Sequence, residues 1–216
     1  HKVTDFFGRL YTDEECLEII AKSGFAHIVL DDEEFLERCA KLLAKGNVIS
    51  WFQGKSEFGP RALGNRSILA NPKEKNTKYL LDALMKRRDR YRPYAPVVIE
   101  EEASNFFHIT GNSPVMMRNI KVKSKSLPAI THVDGSARVQ TVSYEDNPKL
   151  YSLLVKVKHH IGVPILLNTS FNLPGEPIVE TPSDAISTFS RSAIDYLCVG
   201  NIIISRNKQK SHKLRL

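Results

Sequence analysis

Residues 51–71 read Trp51-Phe52-Gln53-Gly54-Lys55-Ser56-Glu57-Phe58-Gly59-Pro60-Arg61-Ala62-Leu63-Gly64-Asn65-Arg66-Ser67-Ile68-Leu69-Ala70-Asn71. The stretch sets Lys55, Arg61 and Arg66 among four loop-forming residues, Gly54, Gly59, Pro60 and Gly64, directly after the apolar run Val48-Ile49-Ser50-Trp51-Phe52. A strand feeding a glycine-rich loop gathers backbone N–H groups and basic side chains at one point, which suits an oxyanion such as phosphate or carboxylate. The same residues would also make an ordinary solvated basic turn. Further cations downstream favour the first reading, a loop that holds a phosphorylated substrate.

Upstream, Thr12-Asp13-Glu14-Glu15 forms a capping box before a helix striped by Cys16, Leu17, Ile19 and Ile20, and Gly24 ends it. Residues 26–30 read as a strand. Asp31 or Asp32 then caps a helix carrying Phe35, Leu36, Leu42 and Leu43 that stops at Gly46, and 48–52 returns as a strand. This alternation predicts an α/β sheet whose loops carry the chemistry.

Downstream, Ser67 to Ala70 is extended, and Asn76 caps a helix with Tyr79, Leu80, Leu81, Leu84 and Met85. It runs into Lys86-Arg87-Arg88-Asp89-Arg90-Tyr91-Arg92, after which Pro93 and Pro96 impose an extended path. These cations could simply complement a helix C-terminus. Residues 96–99 and 115–122 read as strands around a short helix at 101–107. Residues 129–142 suggest a hairpin about Asp134-Gly135. His132 and Asp134 there lack a third ligand, so the reading is a hydrogen-bonded pair and no metal site.

An amphipathic helix over 148–161 closes at Gly162, with His159 and His160 on its surface, and 163–167 is a buried strand. It leads into the polar loop Asn168-Thr169-Ser170-Phe171-Asn172-Leu173-Pro174-Gly175-Glu176, suited to directional hydrogen bonds with a carbonyl or phosphate. Thr181 and Pro182 start a further helix, and 196–199 with 202–204 complete the sheet.

A length of 216 residues with 42% hydrophobic side chains suits one domain with a real core. The formal charge is +7, but Arg206, Lys208, Lys210, Lys213 and Arg215 lie in a basic tail, and removing those five leaves +2 for the body. That balance argues weakly for nucleic acid. The tail, 206–216, lacks an apolar face and is expected to be disordered, leaving 1–205 as the domain. Cys16, Cys39 and Cys198 form no CxxC pair, which predicts buried free thiols and a cytoplasmic protein. No run suits a membrane span or a signal peptide. The chain opens on His1, as expected for a piece of a longer protein.

Four segments taken together, WFQGKSEFGPRALGNRSILANP, RPYAPVVIE, THVDGSARVQTV and VPILLNTSFNLPGEPIVETPSDAI, resemble the C-terminal domain of the NodU/CmcH/TobZ carbamoyltransferases. The resemblance runs in unbroken order over most of the chain. It implies an α/β (α+β) fold, a YrdC-like twisted mixed β-sheet with flanking helices and a basic cleft for nucleotide and carbamoyl phosphate. It also implies a partner, an N-terminal acceptor domain of the same polypeptide with an actin-like fold and its own bound metal, absent from this chain. The implied substrates are carbamoyl phosphate and ATP with Mg²⁺, joined as carbamoyl-adenylate before transfer to a hydroxyl.

Carried over by motif, Arg61, Lys86, Arg92, Arg138 and Ser170 match family residues at the reacting groups, and Gln53, Asn65, Arg66, Ser67, Asn168, Thr169 and Asn172 fall in the binding motifs. Where the family has Lys-x-Arg-Glu-x-Phe-Arg-Pro-Phe, this chain has Asp89 for Glu, Tyr91 and Tyr94 for Phe, and an added Arg90. The changes keep charge type, so they bear on substrate detail. The physical logic stands beside the resemblance: the two substrates carry about six negative charges, and fixed cations must offset their repulsion. Ser170 reads as a hydrogen-bond donor, because no triad signature accompanies it. Two alternatives remain at this level, a threonylcarbamoyl-adenylate synthase using bicarbonate and threonine, and a basic RNA-binding module built on 86–92 and the tail.

Overall fold

In the computed structural model, which describes residues 6–83 and 94–206, the capping box opens helix α1 (Asp13–Lys22). Thr12 Oγ1 accepts from Glu15 N at 3.2 Å while the Glu15 carboxylate accepts from Thr12 N at 2.9 Å. Strand β1 (Ala26–Val29) follows, and Asp31 caps helix α2 (Asp32–Ala44) by accepting from Glu34 N. The chain continues as β2 (Ile49–Phe52), the glycine loop, β3 (Arg66–Ala70) and the short helix α3 (Thr77–Leu81). Beyond residue 93 come β4 (Ala95–Ile99), a 3-10 turn at Glu100–Glu102, α4 (Ala103–Phe106), β5 (Asn119–Lys121), β6 (Ser136–Arg138) and β7 (Gln140–Val142). The last elements are α5 (Pro148–Ile161), β8 (Ile165–Ser170), α6 (Pro182–Arg191), β9 (Tyr196–Val199) and β10 (Ile202–Ser205).

Eight strands form one mixed sheet in the order β1-β10-β9-β2-β3-β8-β4-β7, with β2–β9 and β4–β7 parallel and the other neighbours antiparallel. Strands β5 and β6 pair separately. The mixed sheet with flanking helices is the architecture expected from the sequence.

Strand alternation divides the core between the two faces. Trp51, Leu69 and Leu166 belong to one layer with Phe35 and Leu36 of α2 and Leu150, Leu153 and Leu154 of α5. Phe52, Ile68 and Leu167 belong to the other, with Cys16 and Ile20 of α1 and Ala185 and Phe189 of α6. Because both faces are covered, β2, β3 and β9 are buried along their whole length, including the polar Ser50, Arg66 and Ser67.

Several expectations need correction. Residues 129–135 form turns, and β6 pairs with β5 instead of making a hairpin. The Asp134-Gly135 turn is real, closed by His132 N to Ser136 O at 2.7 Å, but Asp134 Oδ1 also binds Ser136 N and Oγ, folding the first arm into the turn. The strand expected over 115–122 shrinks to Asn119–Lys121, with Met116 at φ +55° before it. Asn168, Thr169 and Ser170 lie within β8 instead of a loop, held between β3 and β4. Asn76 makes no side-chain cap bond. Arg206, placed in the tail by the sequence, binds the carbonyls of Phe189, Ser190 and Ile194 and lies over the Phe189 ring. Lys86 and Arg92, and residues 207–216 of the tail, lie outside the described residues.

All three cysteines are buried free thiols, and Cys39 and Cys198 meet between α2 and β9 with their sulfurs 3.5 Å apart. Burial, with Asp13 and Glu15 nearby, pushes the Cys16 thiol up to about 11, and burial raises Cys39 well above its ordinary value. Since the thiolate is the reactive species, an aromatic disulfide reagent at pH 8 should leave the folded chain unmodified and titrate three thiols after unfolding. Rapid modification of the folded chain would contradict this packing.

Candidate functional site

Where β8 ends beside the start of β4, a cleft of about 250 Å³ opens between the glycine loop and the β5–β6 pair. Pro60, Arg61 and Ala62 come from the loop, Tyr94 and Ala95 from β4 and the residue before it, Arg138 from β6, and Asn168, Thr169 and Ser170 from β8. Met116, Asn119 and His132 complete the lining. Its described lining residues include two arginines and no carboxylate, a composition that suits anions. An adjoining cleft shares Pro60 and Ser170 and is lined further by Arg66, Asn172, Glu57, Glu176 and Glu180.

The loop is fixed by its own charges. Glu57 Oε1 accepts from the backbone N–H groups of Leu63, Asn65 and Arg66 at 2.7, 2.6 and 3.2 Å. Amides that the sequence reading offered to a bound oxyanion are therefore occupied by an internal carboxylate. Arg66, fully buried, donates to the carbonyls of Gln53, Gly54, Asn65 and Glu180 and stacks 3.7 Å over Phe52. Burial lowers its pKa. Gly64, at φ +108°, brings the loop so close to α5 that a Cβ would stand 2.3 Å from Leu150 Cδ2. Asn147, the α5 N-cap, donates to Asn65 Oδ1 at 2.9 Å and ties the loop to that helix.

The sequence-predicted residues thus divide three ways. Arg61, Arg138, Asn168, Thr169 and Ser170 meet at the first cleft, while Arg66 and Asn172 line the second. Gln53, Asn65 and Ser67 are framework: Gln53 Nε2 donates to Gly200 O, Asn65 Nδ2 to Lys55 O, and Ser67 Oγ accepts from Gly64 N. Ser170 Oγ donates to Asn172 Oδ1 at 2.7 Å, and Asn172 in turn to Glu176 O. Lys86 and Arg92 lie outside the described residues, and Tyr94, which follows their segment, lines the first cleft.

The carbamoyltransferase C-terminus family model matches residues 40–206. This chain belongs to that family. Over 196 residues the domain is 46% identical to nodulation protein NolO of Bradyrhizobium diazoefficiens, covering 88% of this chain and 36% of that protein. It is 42% identical over 160 residues to the 3'-hydroxymethylcephem-O-carbamoyltransferase of Amycolatopsis lactamdurans, covering 74% and 31%. The carbamoyltransferase-family domain thus spans about a third of the length of these curated relatives. Among solved structures it shares its fold with full-length HypF in the phosphate- and nucleotide-bound form, with TM-score 0.50, 14% identity and coverage of 85% of this chain and 22% of that one. HypF of T. kodakarensis gives TM-score 0.51 at 17% identity, covering 70% and 19%. Among the described residues of this carbamoyltransferase-family domain, no helix is long and apolar enough to cross a membrane.

Sequence reasoning missed Glu57, which holds the glycine loop, and Gln140, whose Nε2 donates to Leu63 O at 2.7 Å. Glu57 was visible only as an acid within a basic loop, and Gln140 as one polar residue in a strand. His132 is better defined than its sequence reading. The Ser136 hydroxyl donates to Asp134 Oδ1 at 2.7 Å, so at 3.3 Å it accepts from His132 Nδ1–H, and the lone pair is on Nε2. Burial lowers the imidazole pKa below the ordinary 6.5, and Arg138 adds to the effect against the pull of Asp134.

Because the fold favours neutral His132, its stabilising contribution is present above pH 6.5 and is lost as pH falls through the depressed folded value. An NMR titration should place the His132 midpoint below 6.5, and His132→Gln should flatten the acid side of the stability profile; a midpoint at or above 6.5 would contradict the assignment. Glu57→Ala strands three backbone donors and should destabilise the domain by about 2 kcal/mol or more in urea denaturation, with Glu57→Gln recovering part of the loss. Unchanged stability would mean that the carboxylate does not hold the loop.

Proposed function

We propose that this chain is the adenylating domain of an ATP-dependent O-carbamoyltransferase. It takes carbamoyl phosphate and ATP with Mg²⁺, forms carbamoyl-adenylate, and serves a hydroxyl acceptor held by an N-terminal domain of the same polypeptide. The observation that carries this reading is the cleft that Arg61 and Arg138 line together with the amide and hydroxyl groups of β8, with no carboxylate among its described lining residues. The relative named as an O-carbamoyltransferase and the phosphate- and nucleotide-bound HypF of the same fold support it.

In this reading water removes the phosphoryl group of carbamoyl phosphate, releasing inorganic phosphate and leaving carbamate. A carbamate oxygen then forms a bond to the α-phosphorus of ATP as the bond to the β-phosphate bridge breaks and pyrophosphate departs. Arg61 and Arg138, together with Lys86 and Arg92, offset the charge of the two phosphorylated substrates, and catalysis consists of positioning and electrostatic stabilisation. Ser170, whose hydroxyl is directed to an amide oxygen, serves as a hydrogen-bonding group. Mg²⁺ enters as the ATP complex, carried by the phosphates.

With ATP, Mg²⁺ and carbamoyl phosphate the chain should release pyrophosphate and form an AMP-containing product, whereas bicarbonate plus threonine in a parallel reaction should give neither. Turnover only with bicarbonate and threonine would overturn the proposal in favour of a threonylcarbamoyl-adenylate synthase. Arg138→Ala should keep the fold and weaken carbamoyl phosphate or ATP binding by about 2 kcal/mol, roughly thirtyfold. Unchanged affinities would remove Arg138 from the site.

A further inference from the structure

The two steps of the proposed reaction make different demands on protons. Carbamate is already an anion and attacks the α-phosphorus of ATP without losing a proton. The water that takes the phosphoryl group from carbamoyl phosphate must give one up as its oxygen bonds to phosphorus. The cleft therefore needs a group that is basic near neutral pH and carries an open lone pair.

Among the described lining residues only His132 meets that need. Arg61 and Arg138 are donors only, the amide and hydroxyl side chains of β8 and Asn119 are not basic, and the Tyr94 hydroxyl donates to Asp82 Oδ1 at 2.6 Å. The imidazole is also oriented. Asp134 Oδ1 accepts from Ser136 N at 2.9 Å and from Ser136 Oγ at 2.7 Å, which leaves the Ser136 oxygen to accept from His132 Nδ1–H at 3.3 Å. The backbone fixes the same row, with His132 N donating to Ser136 O and Gly135 N to His132 O. His132 is a lining residue of the cleft whereas Ser136 and Asp134 are not, so the half-buried ring stands between that pair and the cleft. Its Nε2 has no partner among the described residues and is not one of their occluded unpaired atoms.

We propose that His132 is the general base for phosphate removal, its Nε2 taking a proton from the attacking water. The water oxygen bonds to phosphorus as the bond from phosphorus to the carbamoyl oxygen breaks and carbamate is released. The imidazolium then passes its proton to the phosphate, which leaves as the monoanion. This assignment rests on the proposed function and supplies the group that handles its one proton. Ser136 is a positioning residue that fixes the tautomer, with Asp134 behind it. Asp134 in the turn, Arg138 of β6 and Lys78 of α3 are the charged groups acting on the ring; the first favours the imidazolium and the other two oppose it. Burial sides with the cations, so the ring is neutral and able to accept at neutral pH.

The test follows phosphate and pyrophosphate release by the chain with ATP and Mg²⁺ in mildly alkaline buffer. One arm receives freshly dissolved carbamoyl phosphate and the other ammonium carbamate, which needs no phosphate removal. His132→Asn keeps an N–H for Ser136 but has no basic nitrogen. With carbamoyl phosphate it should release phosphate about a hundredfold more slowly, and carbamate should restore most of its pyrophosphate release. Ser136→Ala should show the same split in smaller degree. In the unmodified chain, phosphate release from carbamoyl phosphate should fall on the acid side with the midpoint that NMR gives for His132. If His132→Asn does not fold, that agreement of midpoints decides. Undiminished phosphate release in folded His132→Asn, an equal loss with both substrates, or an acid limb that does not follow His132 would overturn the assignment and leave the proposed function standing. Failure of the unmodified chain to form pyrophosphate from carbamoyl phosphate would instead overturn the proposed function, and this assignment with it.

Discussion

The loop between β2 and β3 carries its own anion, and the site depends on it. Three backbone N–H groups converge on Glu57 Oε1, at Leu63, Asn65 and Arg66. A charge-assisted bond to each offsets the cost of drawing these donors away from water. The loop therefore has a fixed shape of its own, and Arg61, exposed, lines the cleft beside it. Arg66 fills the complementary role, binding carbonyls with a buried cation stacked on Phe52. Carboxylate and guanidinium together satisfy both kinds of backbone group that such a loop would otherwise leave stranded.

Around this loop the sheet acts as a rigid bed. Strand β8 lies between β3 and β4, so the polar residues at its end are set by register rather than by loop flexibility. Ser67 stands opposite Ser170, and Leu69 opposite Asn168. On one face α2 and α5 press on Trp51 and Leu69, and α5 reaches the loop through Asn147 and Leu150. Groups meant to recognise charge and hydrogen-bonding pattern at the same time benefit from such positioning, because small displacements cost directional bonds first.

The two clefts differ in electrostatic character although they share Pro60 and Ser170. Among the described residues one is lined by Arg61 and Arg138 and no acid, whereas the other mixes Arg66 with Glu57, Glu176 and Glu180. Their linings also distinguish cations that border the first cleft from cations that build the protein. Arg66 belongs with the second kind, since its guanidinium is engaged by backbone carbonyls and an aromatic face.

The amino-acid sequence determined the local elements. Capping residues at Thr12, Asp31 and Thr181, the apolar stripes of α2 and α5, and the unbroken hydrophobic strands are short-range signals, and they survive in the structure. The long motifs likewise marked Arg61, Arg138, Asn168, Thr169 and Ser170, which the fold brings to one cleft. What the sequence could not determine is which partner each polar group takes. Arg61, Arg66 and Glu57 lie within one short loop, yet one faces the cleft, one is buried, and the acid occupies the amides assigned to a ligand. The hairpin expected over 129–142 failed for the same reason: residues 136–142 are extended, but their strands pair with β5 and β4, distant in sequence. Hydrogen-bond partners are chosen by long-range packing once both sheet faces are covered, and only the tertiary structure could commit the Asn168 amide to Ala62 and Gln140, distant in sequence.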